Sequence, residues 1–260
     1  MPQPSRAPAQ PLLHTLRQWL TGWWGLLLFG ARLAVLALSP SSWRRSQRRL
    51  MLHQAYAATM PLLLGFGLGS AIMAQVIIRI VLATAQSYGL TGYALNVLVR
   101  TLVLELIPLS AALYTAVRYT MPAAEQVRAM RARGLHKAQL AQGLDPLRDT
   151  VLPRALAGVF AAITLTLLAA TITLLLTYLN LYGFSTWGLT GFVRGVGQVF
   201  GPVIVLIFAL KALLLSLAVA VIPMRPGARD GAPGADLNHL ARLLAVVLLI
   251  ELLSLVGNYY

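Results

Sequence analysis

Five stretches of this chain, at roughly 56–80, 92–117, 155–181, 198–222 and 240–259, are each long and apolar enough to cross a bilayer as one helix, which takes about 20 residues. Backbone polar groups in hydrocarbon must be paired within the chain, so single spans of this kind are helical. Composition agrees: 58% of residues are hydrophobic and 11% charged, against roughly 25% charged in a soluble domain. The expected fold class is an all-α integral membrane protein.

A sixth apolar stretch, 12–38, is different in kind. Leu13, Leu16, Leu20 and Trp24 fall near one helical face, with His14, Arg17 and Gln18 on others, and Trp19, Trp23 and Trp24 suit the headgroup level. An N-terminal interfacial helix is expected here, with a sixth full span as the alternative. The leading MPQPSRAPAQ has no signal-type cleavage site and reads as a short disordered lead over 1–11.

The net charge of +14 would suggest nucleic acid in a soluble protein. Here the basic residues sit mostly between apolar stretches, so membrane orientation explains them and nucleic acid is not expected as a partner. Arg44, Arg45, Arg48 and Arg49 precede the first span; Arg118, Arg128, Arg131, Arg133, Lys137, Arg148 and Arg154 lie between the second and third; Arg225 and Arg229 lie between the fourth and fifth. The other two loops, 85–92 and 182–197, carry only Arg194. Basic loops stay cytoplasmic. This places the N-terminus and the 119–154 connector inside and the C-terminal Asn258, Tyr259 and Tyr260 outside, a parity that five spans satisfy.

The 119–154 connector reads as folded. Gly134 and Gly143 are helix stops, Asp145-Pro146 starts a short helix, and Pro153 reinitiates before the third span. A solvated basic connector held by anionic lipid and a docking surface for a cytoplasmic protein are both compatible with it.

Charges within spans are costly and therefore informative. Glu105, Lys211 and Glu251 share a depth near the midplane, so a buried charge network is expected, since pairing reduces the cost of burial. Arg79 and Arg100 sit toward the outer end of spans one and two and are expected to act as a cationic pair for an external anion, a lipid phosphate first, because guanidinium matches phosphate bidentately. Snorkelling to the headgroups competes with that reading for Arg79. In GFGLGSA (65–71), Gly65, Gly69 and Ala71 invite close helix packing. Pro61, Pro108 and Pro202 suggest kinks. The chain has no cysteine, and its four histidines are scattered, so no metal or other cofactor is expected. Phosphate-cradling loops, zinc-hydrolase helices and nucleophile elbows are absent from the sequence. It reads as a non-enzyme whose energy source lies on another subunit.

Two blocks then carry a family resemblance. GLDPLRDTVLPRALAG (143–158) resembles the G-[VL]-D-P-[IVL]-x-x-x-V-x-P-R-x-x-A stretch of MlaE-type permeases, through Gly143, Asp145, Pro146, Val151, Pro153, Arg154 and Ala157. ELIPLSAALYTAVR (105–118) resembles the family's E-[LF]-G-P-[VL]-x-x-A-L-x-x-A-G-R through Glu105, Pro108, Ala112, Leu113, Ala116 and Arg118. These permeases are membrane subunits of ABC transporters that handle lipids with MCE-domain proteins. The resemblance implies a single permease domain over 12–260, a bacterial inner-membrane location, a homodimer, cytoplasmic ATPase subunits, a periplasmic MCE protein and a phospholipid cargo. It implies lipid contact at Arg79, Arg100 and Glu105, and ATPase coupling through Glu125, Arg131, Gly143, Asp145, Pro146, Pro153 and Arg154.

Departures from the pattern have consequences. The Arg usual before the Glu is Leu104, with Arg100 a turn earlier; the expected glycines at 107 and 117 are Ile107 and Val117. An ungapped register puts Gly134, Leu135, His136, Lys137 and Ala138 where an acidic E-[EQ]-[IL]-D-A motif is usual; a shifted register uses Glu125 to Met130 instead. The second reading is therefore a non-translocating scaffold that anchors an MCE or ATPase partner.

Overall fold

The computed structural model describes the backbone of residues 11–40, 45–226 and 235–259, and side chains over 22–40, 47–90, 92–226 and 239–258. Residues 1–10 of the expected lead, Arg44, Arg229 and Tyr260, and the side chains of His14, Arg17, Gln18, Trp19 and the leucines at 13, 16 and 20, lie outside that description.

All regular structure among the described residues is helical. The helices are α1 (Pro11–Leu38), α2 (Arg45–Ser87), α3 (Thr91–Leu98), α4 (Ile107–Thr115), α5 (Met121–Ala132), α6 (Leu135–Ala141), α7 (Leu152–Tyr182), α8 (Leu189–Val199), α9 (Pro202–Val221) and α10 (Ala235–Tyr259). Five helical stretches are long and apolar enough to cross a membrane: Gln47–Ser87, Gly92–Ala132, Leu147–Tyr182, Pro202–Val221 and His239–Asn258. Gly22–Leu38 of α1 is a shorter apolar helix. The chain is thus an all-α, multi-pass membrane protein.

Several boundaries move from the sequence reading. Arg48 and Arg49, expected in a loop, lie on α2, because no helix breaker separates them from the apolar run. The second span continues past Arg118 to Ala132. The connector read over 182–197 is largely helical, with α8 beginning at Leu189. Pro202 stands at the first turn of α9, after Gly201, where its fixed φ suits a helix start rather than a kink.

One pattern recurs three times. The π-helical segments Val99–Leu106, Ala116–Thr120 and Leu147–Val151 run directly into helices that open Ile107-Pro108, Met121-Pro122 and Leu152-Pro153. Proline has no N–H to give the carbonyl four residues back, and its ring crowds that carbonyl. Widening the preceding turn relieves both problems. The N–H groups of Ile107, Met121 and Leu152 accordingly reach five residues back, to the carbonyls of Leu102, Ala116 and Leu147. The chain from Thr91 to Ala132 therefore stays helical across two prolines.

Helices α2 and α7 form the most extensive pairing. The buried face of α7 is lined by small residues: Ala157, Gly158, Ala161, Ala162, Ala169 and Ala170. Without hydrophobic drive between helices in lipid, close approach through such residues supplies the packing. A Cβ on Gly158 would lie 2.7 Å from the Thr120 methyl, and one on Gly65 2.7 Å from the Tyr114 hydroxyl. Gly69, expected at a close approach, has open space around it; Gly67 instead faces Leu168 and Ile172 of α7. Several polar groups inside the bundle are matched locally or across helices. Thr115, Thr166 and Thr177 each donate to the carbonyl four residues back, and Gln75 and Asn180 exchange amide hydrogen bonds of 3.2 and 2.9 Å between α2 and α7.

Candidate functional site

The π-helical turn at Val99–Leu106 builds a charged site inside the bundle. Its i→i−5 register brings residues five apart, Arg100 and Glu105, toward one face. Pro108 leaves the Leu104 carbonyl without its α-helical donor, and the Lys211 ammonium of α9 donates to it at 3.2 Å. The same ammonium donates to Glu105 Oε2, and to Glu251 Oε1 of α10 at 2.9 Å. Lys211 is 2% exposed. Removing an ammonium from water this completely is tolerable only with such partners.

Asn258 extends the network outward. Its side-chain amide donates to Glu105 Oε1 at 2.6 Å, and its main-chain carbonyl accepts from Arg100 Nη1 at 3.3 Å. Glu105 is therefore held on both oxygens, by Lys211 on one side and Asn258 on the other. Counting Arg100, the cluster carries two positive and two negative charges. Three buried polar atoms in it have no protein partner: Arg100 Nε, Asn258 Oδ1 and Glu251 Oε2. Such atoms in apolar surroundings are a standing cost.

Glu105, Lys211 and Glu251, grouped by depth in the sequence, are brought into direct contact. Arg79 and Arg100 do not form a matched pair. Arg79 is exposed on α2. Arg100 is half-buried and bound to α10 through Asn258. The sequence reading missed Asn258, although Glu251, Ser254 and Asn258 follow the 3–4 spacing of one helix face. It also missed the Leu104 carbonyl, whose signal was a proline four residues on.

At the other membrane edge, the 119–154 region is pinned at its turns. Gly134 and Gly143 adopt φ of +74° and +75°, the left-handed conformation of helix C-termini that glycine takes without strain. The Leu144 N–H bonds the Gln139 carbonyl at 2.9 Å to close α6. Asp145 Oδ1 accepts the Leu147 N–H at 3.0 Å and its carbonyl the Asp149 N–H at 2.9 Å, starting the turn that leads into α7. Gln47 of α2 donates to Asp149, Gln139 to Thr150 Oγ1 at 3.3 Å, and Arg154 to the Thr150 carbonyl at 2.7 Å. Pro146 and Pro153 are buried and Arg154 half-buried, whereas Glu125 and Asp145 are exposed and Arg131 half-buried. Val127 of α5, Val151 and Leu152 share one apolar cluster with Phe29 and Leu33 of α1. His136 is held below its ordinary value of 6.5, first by burial and then by the charge of Arg131.

A bundle of five helices long and apolar enough to cross a membrane, with an ionic cluster in its interior, defines a multi-pass membrane protein. The family model described as permease MlaE matches residues 51–256, and the chain belongs to the MlaE permease family. No curated protein sequence matches it. Membership makes this the permease class of ABC transporter subunit, and it covers both blocks, 105–118 and 143–158, on which the resemblance was read.

Proposed function

We propose that this chain is the membrane subunit of an ATP-driven transporter that passes phospholipid, or a related lipid, between a bacterial inner membrane and an MCE-domain protein on its outer side. In this reading it works as a homodimer with cytoplasmic ATPase subunits. The observation that carries the reading is the group of unpartnered polar atoms, Arg100 Nε, Asn258 Oδ1 and Glu251 Oε2, in one intramembrane cluster. A lipid headgroup is amphipolar and zwitterionic or anionic, so it offers the acceptor that Arg100 Nε lacks, while its chains remain among apolar helices. Arg79 and Arg100 would receive the phosphate, with Glu105 orienting Arg100 through Asn258.

The family's coupling role supports assigning the platform of Gly143, Asp145, Pro146, Pro153 and Arg154, with Glu125 and Arg131 on α5, to ATPase contact. Motion there would enter α7 through its rigid start and α4 through the continuous helix that leads back to Glu105.

A gentle pull-down of the tagged chain from its native membrane, with proteins and lipids read by mass spectrometry, tests this directly. The expected result is an ATPase, an MCE-domain protein and bound phospholipid, with lipid occupancy reduced in Arg100→Ala. Unchanged occupancy in that variant removes the headgroup role of Arg100. Recovery of an MCE protein without ATPase or lipid favours the scaffold reading, which the basic surface at 128–137 independently motivates.

A further inference from the structure

A second cationic feature lies at the opposite membrane edge from Arg79 and Arg100. Arg225 follows the end of α9, and Arg242 lies in the first turn of the span at His239–Asn258. Both rest on α1. A Cβ on Gly22 would lie 2.7 Å from Arg242 Nη2, and one on Gly25 2.5 Å from Arg225 Nη2. Arg225 Nη1 also donates to the Gly22 carbonyl. Gly22 and Gly25 are three apart and so share a helix face, which sets the two guanidiniums about one helical turn from each other. Any side chain at either glycine would displace them.

The placement is not a loose surface arrangement. Beneath it, Leu26 of α1, Ile222 and Leu243 pack in one core cluster, and the neighbouring Met224 packs with Val127 and Val151 under the polar platform. Each arginine is half-buried. Among the described residues neither guanidinium has a carboxylate partner. Burial and the charge of Arg242 both hold Arg225 below its ordinary value, so the pair is under mutual repulsion. Two forks held side by side on a bare stretch of helix backbone match the oxygens of one phosphate group.

We infer that Arg225 and Arg242, seated on Gly22 and Gly25 of α1, form a phosphate-binding site at the membrane edge nearest the 119–154 platform, with an anionic lipid headgroup or a free phosphate as its ligand. The site does not depend on the proposed cargo path, since the two lie on opposite sides of Lys211 and share no residue. Exposed Leu27 of α1 and Leu244 and Leu248 of α10 offer apolar surface beside it for acyl chains. A lipid bound here would clamp α1 to the α9–α10 turn, and so steady the platform that α1 helps to build.

The test uses the purified full chain in mild detergent, offered equal amounts of phosphatidylglycerol and phosphatidylcholine, with bound lipid read by native mass spectrometry. Wild type is expected to retain phosphatidylglycerol selectively. The R225Q/R242Q variant should lose about tenfold or more of that selectivity, given roughly 1 kcal/mol per basic residue near a lipid surface. Arg194→Gln, which removes an exposed charge at the opposite edge, should not change it. Arg100→Ala should leave the Arg225- and Arg242-dependent component in place even if the cargo reading is right, and equally if it is wrong. Added inorganic phosphate separates the sources: displacement of phosphatidylglycerol from wild type assigns the site to free phosphate as well, and retention assigns it to lipid. If the double variant does not fold, Arg242→Gln and Gly25→Ala serve instead; the latter displaces a guanidinium without removing its charge, and several-fold weaker retention is expected. Retention in the folded variants equal to wild type overturns the inference.

Discussion

Lys211 donates to the main-chain carbonyl of Leu104 at 3.2 Å, the carbonyl that Pro108 cannot serve because it stands four residues on and has no N–H. The intramembrane lysine thus supports the backbone of a neighbouring helix while it pairs with Glu105 and Glu251. Charge pairing and backbone repair are supplied by one side chain.

Replacing Lys211 with Met should therefore be severe. It leaves two carboxylates facing each other in an apolar interior, beside a Leu104 carbonyl that has lost its lysine donor. A loss of about 3–5 kcal/mol is expected, the range for breaking a buried pair from one side, read as the unfolding midpoint in detergent. Adding E105Q and E251Q to K211M should recover part of the loss; no recovery would mean that the carboxylates are not the reason for it.

Pro108→Ala restores the missing donor. The turn at 99–106 should tighten toward α-helical register, with slower amide exchange over 104–110 and an unchanged or higher unfolding midpoint. Glu105 would then rotate relative to Lys211, and turnover of the assembled transporter should fall. Exchange rates identical to wild type would show that proline is not what widens this turn.

Two glycines should separate cleanly. Gly158→Val forces a side chain against the Thr120 methyl and should cost about 1–3 kcal/mol, as overpacking does. Gly69→Ala enters open space and should be neutral or stabilising by up to about 1 kcal/mol from helix propensity. Thermal unfolding of the two variants side by side checks this, and equal losses would contradict the packing described.

The Gln75 and Asn180 amides should couple. Gln75→Leu strands Asn180 between α2 and α7, and the double replacement with Asn180→Leu should be milder than the sum of the singles. The coupling expected from a double-mutant cycle is about 0.6 kcal/mol, the average for hydrogen bonds inside membrane bundles. A coupling of zero would make the pair incidental.

His136 sets a pH dependence at the platform. Its folded value lies below the ordinary 6.5, so the unfolded chain takes up the proton first on acidification. Its contribution to stability is complete above about pH 6.5 and is lost as pH falls through that value toward the folded one. Unfolding midpoints of wild type should therefore drop more than those of His136→Gln between neutral pH and mildly acidic pH; parallel curves would exclude the effect.

The sequence by itself determined the helical class, the number of spans and the family, because those follow from long-range composition and from two ungapped motif blocks. Depth was legible too: helical rise alone put Glu105, Lys211 and Glu251 at one level. What depth cannot say is azimuth. Which face of each helix turns inward depends on packing among all five spans, so Asn258 and the separate settings of Arg79 and Arg100 emerged only from the folded bundle. The same holds for Gly69, whose motif promised a close approach that Tyr114 of α4 makes at Gly65 instead, while α7 meets Gly67. Proline positions were visible from the start, but their effect was not. A kink and a π-helical turn both relieve a missing N–H; Pro108, Pro122 and Pro153 each follow a π-helical turn whereas Pro61 lies inside α2 without one, a difference that proline positions alone do not carry.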